Sequence, residues 1–85
     1  MLVDVRRLDE YALTSIAGTV FIPMDEFVQR FEDLPKNRHI VTYCHHGVRG
    51  GFAARFLRQR GYPNVHNMEG GIDAWAELDQ TIQKY

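Results

Sequence analysis

The chain has 85 residues, which allows one domain with a small core and no second lobe to close over a ligand. Its 10 lysines and arginines against 11 aspartates and glutamates give a net charge of -1, which excludes a nucleic-acid partner held by a bulk basic field. No apolar run approaches the roughly 20 residues of a membrane span, and the single cysteine, Cys44, excludes an internal disulfide, a Cys-x-x-Cys redox pair and a Cys-based zinc finger. Leu2 to Val5 reads as a short strand. Asp4, Arg6 and Arg7 follow Met1 at once, so no secretory leader is expected, and a free thiol suits a reducing cytoplasm. Arg7 to Ala12 has a weak helical pattern. Thr19 to Ile22 is a second β-rich run stopped by Pro23. Met24, Phe27, Val28, Phe31 and Leu34 recur at helical spacing, and Pro35 closes that helix. His39 to Tyr43 reads as a buried strand. Phe52, Ala53, Phe56 and Leu57 give the apolar face of a helix that starts near Gly51 and stops at Gly61, with Pro63 beyond. Asn64 to Met68 is a last strand. Ile72, Trp75 and Ala76 mark a further helix, and the tail after Leu78 is polar. Strands alternating with helices predict an α/β class with a parallel sheet, with Trp75 and the Phe27, Phe31, Phe52 and Phe56 set in its core.

The chemistry concentrates in Ile40 to Gly51. A buried strand ends at Cys44, a glycine-bearing loop follows, and a helix begins. Ligands in open α/β sheets sit at the carboxyl ends of strands, and a helix N-terminus presents unpaired N–H groups and partial positive charge. Gly47 lets the loop backbone turn so that several N–H groups aim at one point, and Arg49, five positions after Cys44, adds a permanent positive charge. A cysteine after an apolar strand is by itself commonly a buried structural residue. The glycine, the arginine and the helix change that reading to an anion cradle around a nucleophilic sulfur.

Taken in order, Asp4-Val5-Arg6, Glu10-Tyr11, Ala17-Gly18, Ile22-Pro23, Cys44-His45-His46-Gly47-Val48-Arg49, Phe56-Leu57, Gly61-Tyr62, Val65 and Glu69-Gly70-Gly71-Ile72-Asp73-Ala74-Trp75 resemble the rhodanese domain family over nearly the whole chain. The cysteine segment matches that family's Cys-x-x-Gly-x-Arg loop. His-His-Gly-Val-Arg is similar to rhodanese modules found alone or fused to ubiquitin-like-protein activating enzymes of molybdopterin and thiamine sulfur pathways. The resemblance implies a rhodanese-like α/β fold: a small parallel sheet of about four strands in the order 2-1-3-4, flanked by helices on both faces. On the same resemblance, residues 1–85 are expected to form a single domain lacking the family's usual N-terminal strand and helix. It implies a sulfurtransferase that moves sulfane sulfur from a small anionic donor such as thiosulfate, through a Cys44 persulfide, to a thiol, cyanide or protein acceptor. Cys44 is then catalytic. Arg49 with His45, His46, Gly47, Val48 and Gly50 binds the donor, Arg49 through its charge and the loop through backbone N–H groups. Asp4 and Arg6 are expected as a buried ion pair, and Gly70 and Gly71 as shapers of the cleft wall. Phosphatases on this fold carry Cys-x5-Arg. Here the arginine comes one position earlier, and the shorter loop suits a single sulfur atom.

No cofactor is implied, and no metal: His45 and His46 are adjacent, which rarely lets two ligands point at one centre, and His39 and His66 do not improve the spacing. Three departures from the family pattern carry expectations. Gly50 stands where the family often has serine or threonine, so a helpful hydroxyl is expected to be missing. Ser15 stands where many members have histidine. The absent N-terminal strand leaves the strand at 65–68 as an exposed edge, a route to dimerisation. The alternative reading is a non-catalytic rhodanese fold that carries sulfur or binds a partner.

Overall fold

The computed structural model describes residues 1–85. Strand β1 (Leu2–Asp4) leads into helix α1 (Leu8–Leu13), and β2 (Val20–Phe21) into α2 (Met24–Arg30). Strand β3 (Ile40–Tyr43) precedes α3 (Val48–Gln59), and β4 (Val65–Asn67) precedes α4 (Gly71–Ala76). All strand pairs are parallel, in the order β2-β1-β3-β4. The expected class and strand order are therefore present. No helix is long and apolar enough to cross a membrane.

Alternation along the strands divides the core into two layers. Val3, Val5, Ile40 and Cys44 pack with Phe27 of α2 and Ala53 and Leu57 of α3. On the opposite face, Tyr43 packs with Ile16, Ile72 of α4 and Ile82, with Leu2 and Trp75 against them. Parallel strands bring the segments after β1, β2, β3 and β4 to the same edge of the sheet, and that edge carries the site.

Three local expectations change. The helical pattern through Leu34 is an α-helix only to Arg30, followed by a single 3₁₀ turn, Phe31–Asp33. The Tyr62 hydroxyl lies 2.7 Å from the carbonyl of Leu34 and 3.0 Å from that of Phe31, which also accepts the Leu34 N–H, and so ties down the chain where the helix ends. Helix α3 begins at Val48, three residues before Gly51, because the turn is made at Gly47, whose φ is 116°. Phe52 is 49% exposed and not part of the core, unlike Phe27. The polar tail is also anchored: Ile82 is buried, and the hydroxyl of the partly exposed Tyr85 accepts from Arg6 at 2.9 Å. Strand β4 pairs only with β3 and is an edge, three residues long.

At the carboxyl end of β1, Asp4 and Arg6 form the expected ion pair, 2.7 Å apart and both fully buried. Arg6 Nε also donates to Asp4, and its Nη groups donate to the Thr14 carbonyl at 2.6 Å and the Tyr85 hydroxyl at 2.9 Å. Such a pair is strongly destabilising when one partner is removed, because the other charge stays buried. Arg6→Ala is expected to lower unfolding free energy by about 3–5 kcal/mol. Urea denaturation followed by circular dichroism measures this; a loss within experimental error of zero refutes it.

Candidate active site

Cys44 follows the last residue of β3, on the face covered by α2 and α3, and only 1% of the residue is exposed. The backbone N–H of Gly47 donates to Cys44 Sγ at 3.0 Å. Helix α3 starts one residue later, so the positive end of a 12-residue helix faces the loop that holds the sulfur.

Helix α4 orients that loop. Ile72 N–H donates to the Cys44 carbonyl at 2.8 Å, and Asp73 N–H to the His45 carbonyl at 3.1 Å. The trans peptide planes then turn the N–H groups of His45 and His46 away from α4. This contact requires glycine at 71. Its φ is 60°, and a Cβ there would collide with both carbonyls that α4 binds. Gly70, at φ 75°, makes the preceding turn. The expected role of Gly70 and Gly71 as a wall is thus a support for the loop backbone.

Gly50 does something other than lack a hydroxyl. It lies in the first turn of α3, buried, where a Cβ would strike Asn67 Oδ1 and come within 3.3 Å of the Tyr43 backbone. Thr42 Oγ1 donates to the Gly50 carbonyl at 2.7 Å, and Asn67 Nδ2 donates to the Gly47 carbonyl at 3.0 Å. Glycine lets α3 lie directly on β3 and β4. A serine would have to displace Asn67 before its hydroxyl could serve the sulfur.

Arg49 is not the free cation expected from its spacing. Its guanidinium binds Glu10 of α1 through both oxygens, Nη1–Oε1 at 2.5 Å and Nη2–Oε2 at 3.0 Å. Glu10 also accepts from the Arg7 backbone N–H at 3.0 Å and the Tyr85 hydroxyl at 2.9 Å. The Arg49 hydrogen bonds hold the Glu10 carboxyl well below the usual carboxylate range against the opposing effect of burial. The same pairing raises Arg49. Burial raises Tyr85, and pushes the Tyr43 hydroxyl up to about 12.

The histidines and Val48 line the outside of the loop. The His45 ring stacks on Tyr85 at 3.8 Å, with Nε2 2.8 Å from the Tyr85 carbonyl oxygen, and on His46 at 3.8 Å. Val48 is 83% exposed. Although adjacent, His45 and His46 bring ligand atoms within 4.8 Å of each other and of Asp73, so these three are the residues able to hold a divalent ion. Lys84 Nζ, 3.9 Å from Asp73 Oδ1, competes for that carboxylate. Beside the loop, a crevice of about 530 Å³ is lined by Leu8, Met24, Asp25 and three arginines, Arg6, Arg7 and Arg49. Cys44 itself does not line it.

Sequence reasoning missed Glu10 and Tyr85. Glu10 had a signal: it stands three residues after Arg7, where a glutamate side chain can return to the helix's first backbone N–H. Tyr85 had none.

The sequence matches the family described as Rhodanese-like domain over residues 1–78. A protein named Sulfurtransferase from Allochromatium vinosum is 41% identical over 76 residues, covering 89% of this chain and 71% of that protein. Thiosulfate sulfurtransferase GlpE of Haemophilus influenzae is 35% identical over 83 residues, covering 96% of this chain and 78% of the relative. The crystal structure of a rhodanese-related protein from Thermoplasma volcanium superposes with a TM-score of 0.87 at 34% identity, covering 93% of this chain and 78% of that one.

Gly71→Ala is expected to cost about 2–4 kcal/mol, from overpacking against two carbonyls added to a strained backbone. Denaturant unfolding measures it, and a neutral substitution contradicts the support role. Glu10 predicts an acid limb. Its folded pKa is depressed, so its contribution is complete above the unfolded value near 4.5 and is lost as pH falls from there through the folded value. Thermal melts below pH 4.5 should therefore fall less steeply for Glu10→Gln than for the parent protein. Parallel limbs would contradict this.

Proposed function

The chain belongs to the rhodanese-like domain family, and on that premise we propose that it is a sulfurtransferase carrying sulfane sulfur as a Cys44 persulfide. The observation that carries this reading is the Gly47 N–H directed at Cys44 Sγ at the amino end of α3. Backbone donors there stabilise negative charge on sulfur, both in the thiolate and in the persulfide formed from it.

The reaction runs as two displacements. The Cys44 thiolate attacks the outer sulfur of thiosulfate. A Cys44–S bond forms, the bond between the donor's sulfurs breaks, and sulfite leaves with that electron pair. A nucleophilic acceptor (a thiol, cyanide or a sulfur-accepting protein) then attacks the terminal sulfur of the persulfide and releases the Cys44 thiolate. With one cysteine in the chain, the acceptor comes from outside. The burial of Cys44 and the six-residue span from Cys44 to Arg49 favour a slender reacting group, a single sulfur atom, over a tetrahedral phosphate. A reducing, cytoplasmic setting would keep Cys44 available. The Haemophilus influenzae relative is named for thiosulfate, which makes that donor the first to test.

Incubation with thiosulfate is expected to add one sulfur to the intact mass. Addition of cyanide should then remove it as thiocyanate. Cys44→Ser should keep the circular dichroism spectrum of the parent and gain no sulfur, since a hydroxyl is a poor nucleophile toward sulfane sulfur. A persulfide that forms but does not turn over with any acceptor would favour the sulfur-carrier reading. Absence of added sulfur from thiosulfate and from a small persulfide alike overturns the proposal.

A further inference from the structure

Arg49 is the one full positive charge belonging to the cysteine loop, and Glu10 holds it through both oxygens. The Glu10 side chain is 5% exposed and is itself fixed by the Arg7 N–H and the Tyr85 hydroxyl. An anionic donor that takes Arg49 must leave this carboxylate buried without its cation, an arrangement that is strongly unfavourable. Of the other arginines of the crevice, Arg6 is fully buried and paired with Asp4 at 2.7 Å. Arg7, 68% exposed, makes a solvent-screened pair with Asp9 at 3.0 Å and lies 3.7 Å from the same Glu10 carboxylate, so acids at the site offset its charge as well. Asp25, also on the crevice wall, has no cationic partner and adds negative charge. The loop's histidines stack on each other and on Tyr85, and His46 faces Asp73. Leu8, 68% exposed, and Met24 give the same crevice an apolar surface.

We propose that Glu10 sets the donor class of the site: by cancelling Arg49 it disfavours the thiosulfate dianion and favours a persulfide, R–S–SH, which carries at most one negative charge and whose R group lies in the crevice. This inference rests on the sulfurtransferase reading above. Glu10 acts through Arg49, as a positioning residue. In the favoured step the Cys44 thiolate attacks the outer sulfur of R–S–SH. A Cys44–S bond forms, the donor's S–S bond breaks, and R–S⁻ leaves with the electron pair, giving Cys44–S–SH. Charge and atoms balance, and the step needs no further reactant.

The test compares kcat/KM for thiosulfate with kcat/KM for 2-hydroxyethyl persulfide in the full chain. Glu10→Gln keeps the shape of the side chain and removes its charge. It is expected to raise the thiosulfate-to-persulfide ratio by at least about tenfold, the scale of a charge-assisted hydrogen bond gained by the anion. Glu10→Asp keeps the charge and should stay within about threefold of the parent ratio. A purely structural role would lower both donors together and spare neither variant, leaving the ratio unchanged; that result overturns the inference. If Glu10→Gln does not fold, the parent protein decides. Its kcat/KM for thiosulfate should not fall when ionic strength rises from about 0.01 M to about 0.15 M, because screening removes no attraction. A steep fall would show an attractive positive field and overturn the inference. Cys44 persulfide formation, read by intact mass, separates the two levels. If neither donor forms it, the sulfurtransferase reading and this inference fall together. If it forms with an unchanged ratio, only this inference falls.

Discussion

The buried guanidinium of Arg6 is where the site edge of the molecule is held together. Asp4 at the end of β1 neutralises it, while Thr14 beyond α1 and Tyr85 in the tail accept its remaining N–H groups. A charge with no exposed surface tolerates no loose partner, so each of these segments has one position that satisfies it. Helix α1 is only six residues long and would be marginal alone. Held by Arg6 at the carbonyls of Glu10 and Thr14, it presents Glu10 to Arg49, and Arg49 in turn belongs to the first turn of α3. The cysteine loop is therefore positioned through a chain of ionic and hydrogen-bonded contacts that begins on β1, as well as through the apolar layer beneath it.

Two helices share the work at the loop in different ways. The amino end of α3 supplies the N–H groups and field that suit a sulfur anion, while α4 binds carbonyls of the same loop and so decides which way its peptides face. Gly50 and Gly71 are the points of closest approach that permit this. At one, a helix lies directly on the sheet; at the other, a helix start lies directly on the loop. Neither glycine can be understood from the loop motif alone.

What was legible in the sequence follows from the range of the interactions involved. The Cys44 to Arg49 loop, the strand ending at Tyr43 and the glycine pair before Trp75 are local patterns, and the parallel sheet order came with the family resemblance. The Asp4–Arg6 pair spans two residues and was also accessible. Glu10 and Arg49 are separated by 39 positions, and Tyr85 and Glu10 by 75, so no local rule relates them. Local spacing therefore presents the charge of Arg49 as available, whereas in the fold it is paired. In the sequence Gly50 stands out only as a missing hydroxyl, because the proximity of Asn67 and the Tyr43 backbone exists only after folding. The early start of α3 and the exposure of Phe52 belong to the same class: apolar spacing located the helix but not its turn at Gly47.

The hydrogen bonds from Ile72 and Asp73 to the carbonyls of Cys44 and His45 have a consequence for motion. The loop cannot swing open without releasing both amides of α4, and α4 cannot unwind its first turn without freeing the loop. The two segments therefore belong to one cooperative opening unit, and the exchange of those two amide protons with solvent is a clock for the loop. A bulky sulfur acceptor that needs the loop to move would draw on the same opening, so its access and the protection of two remote backbone protons become a single quantity.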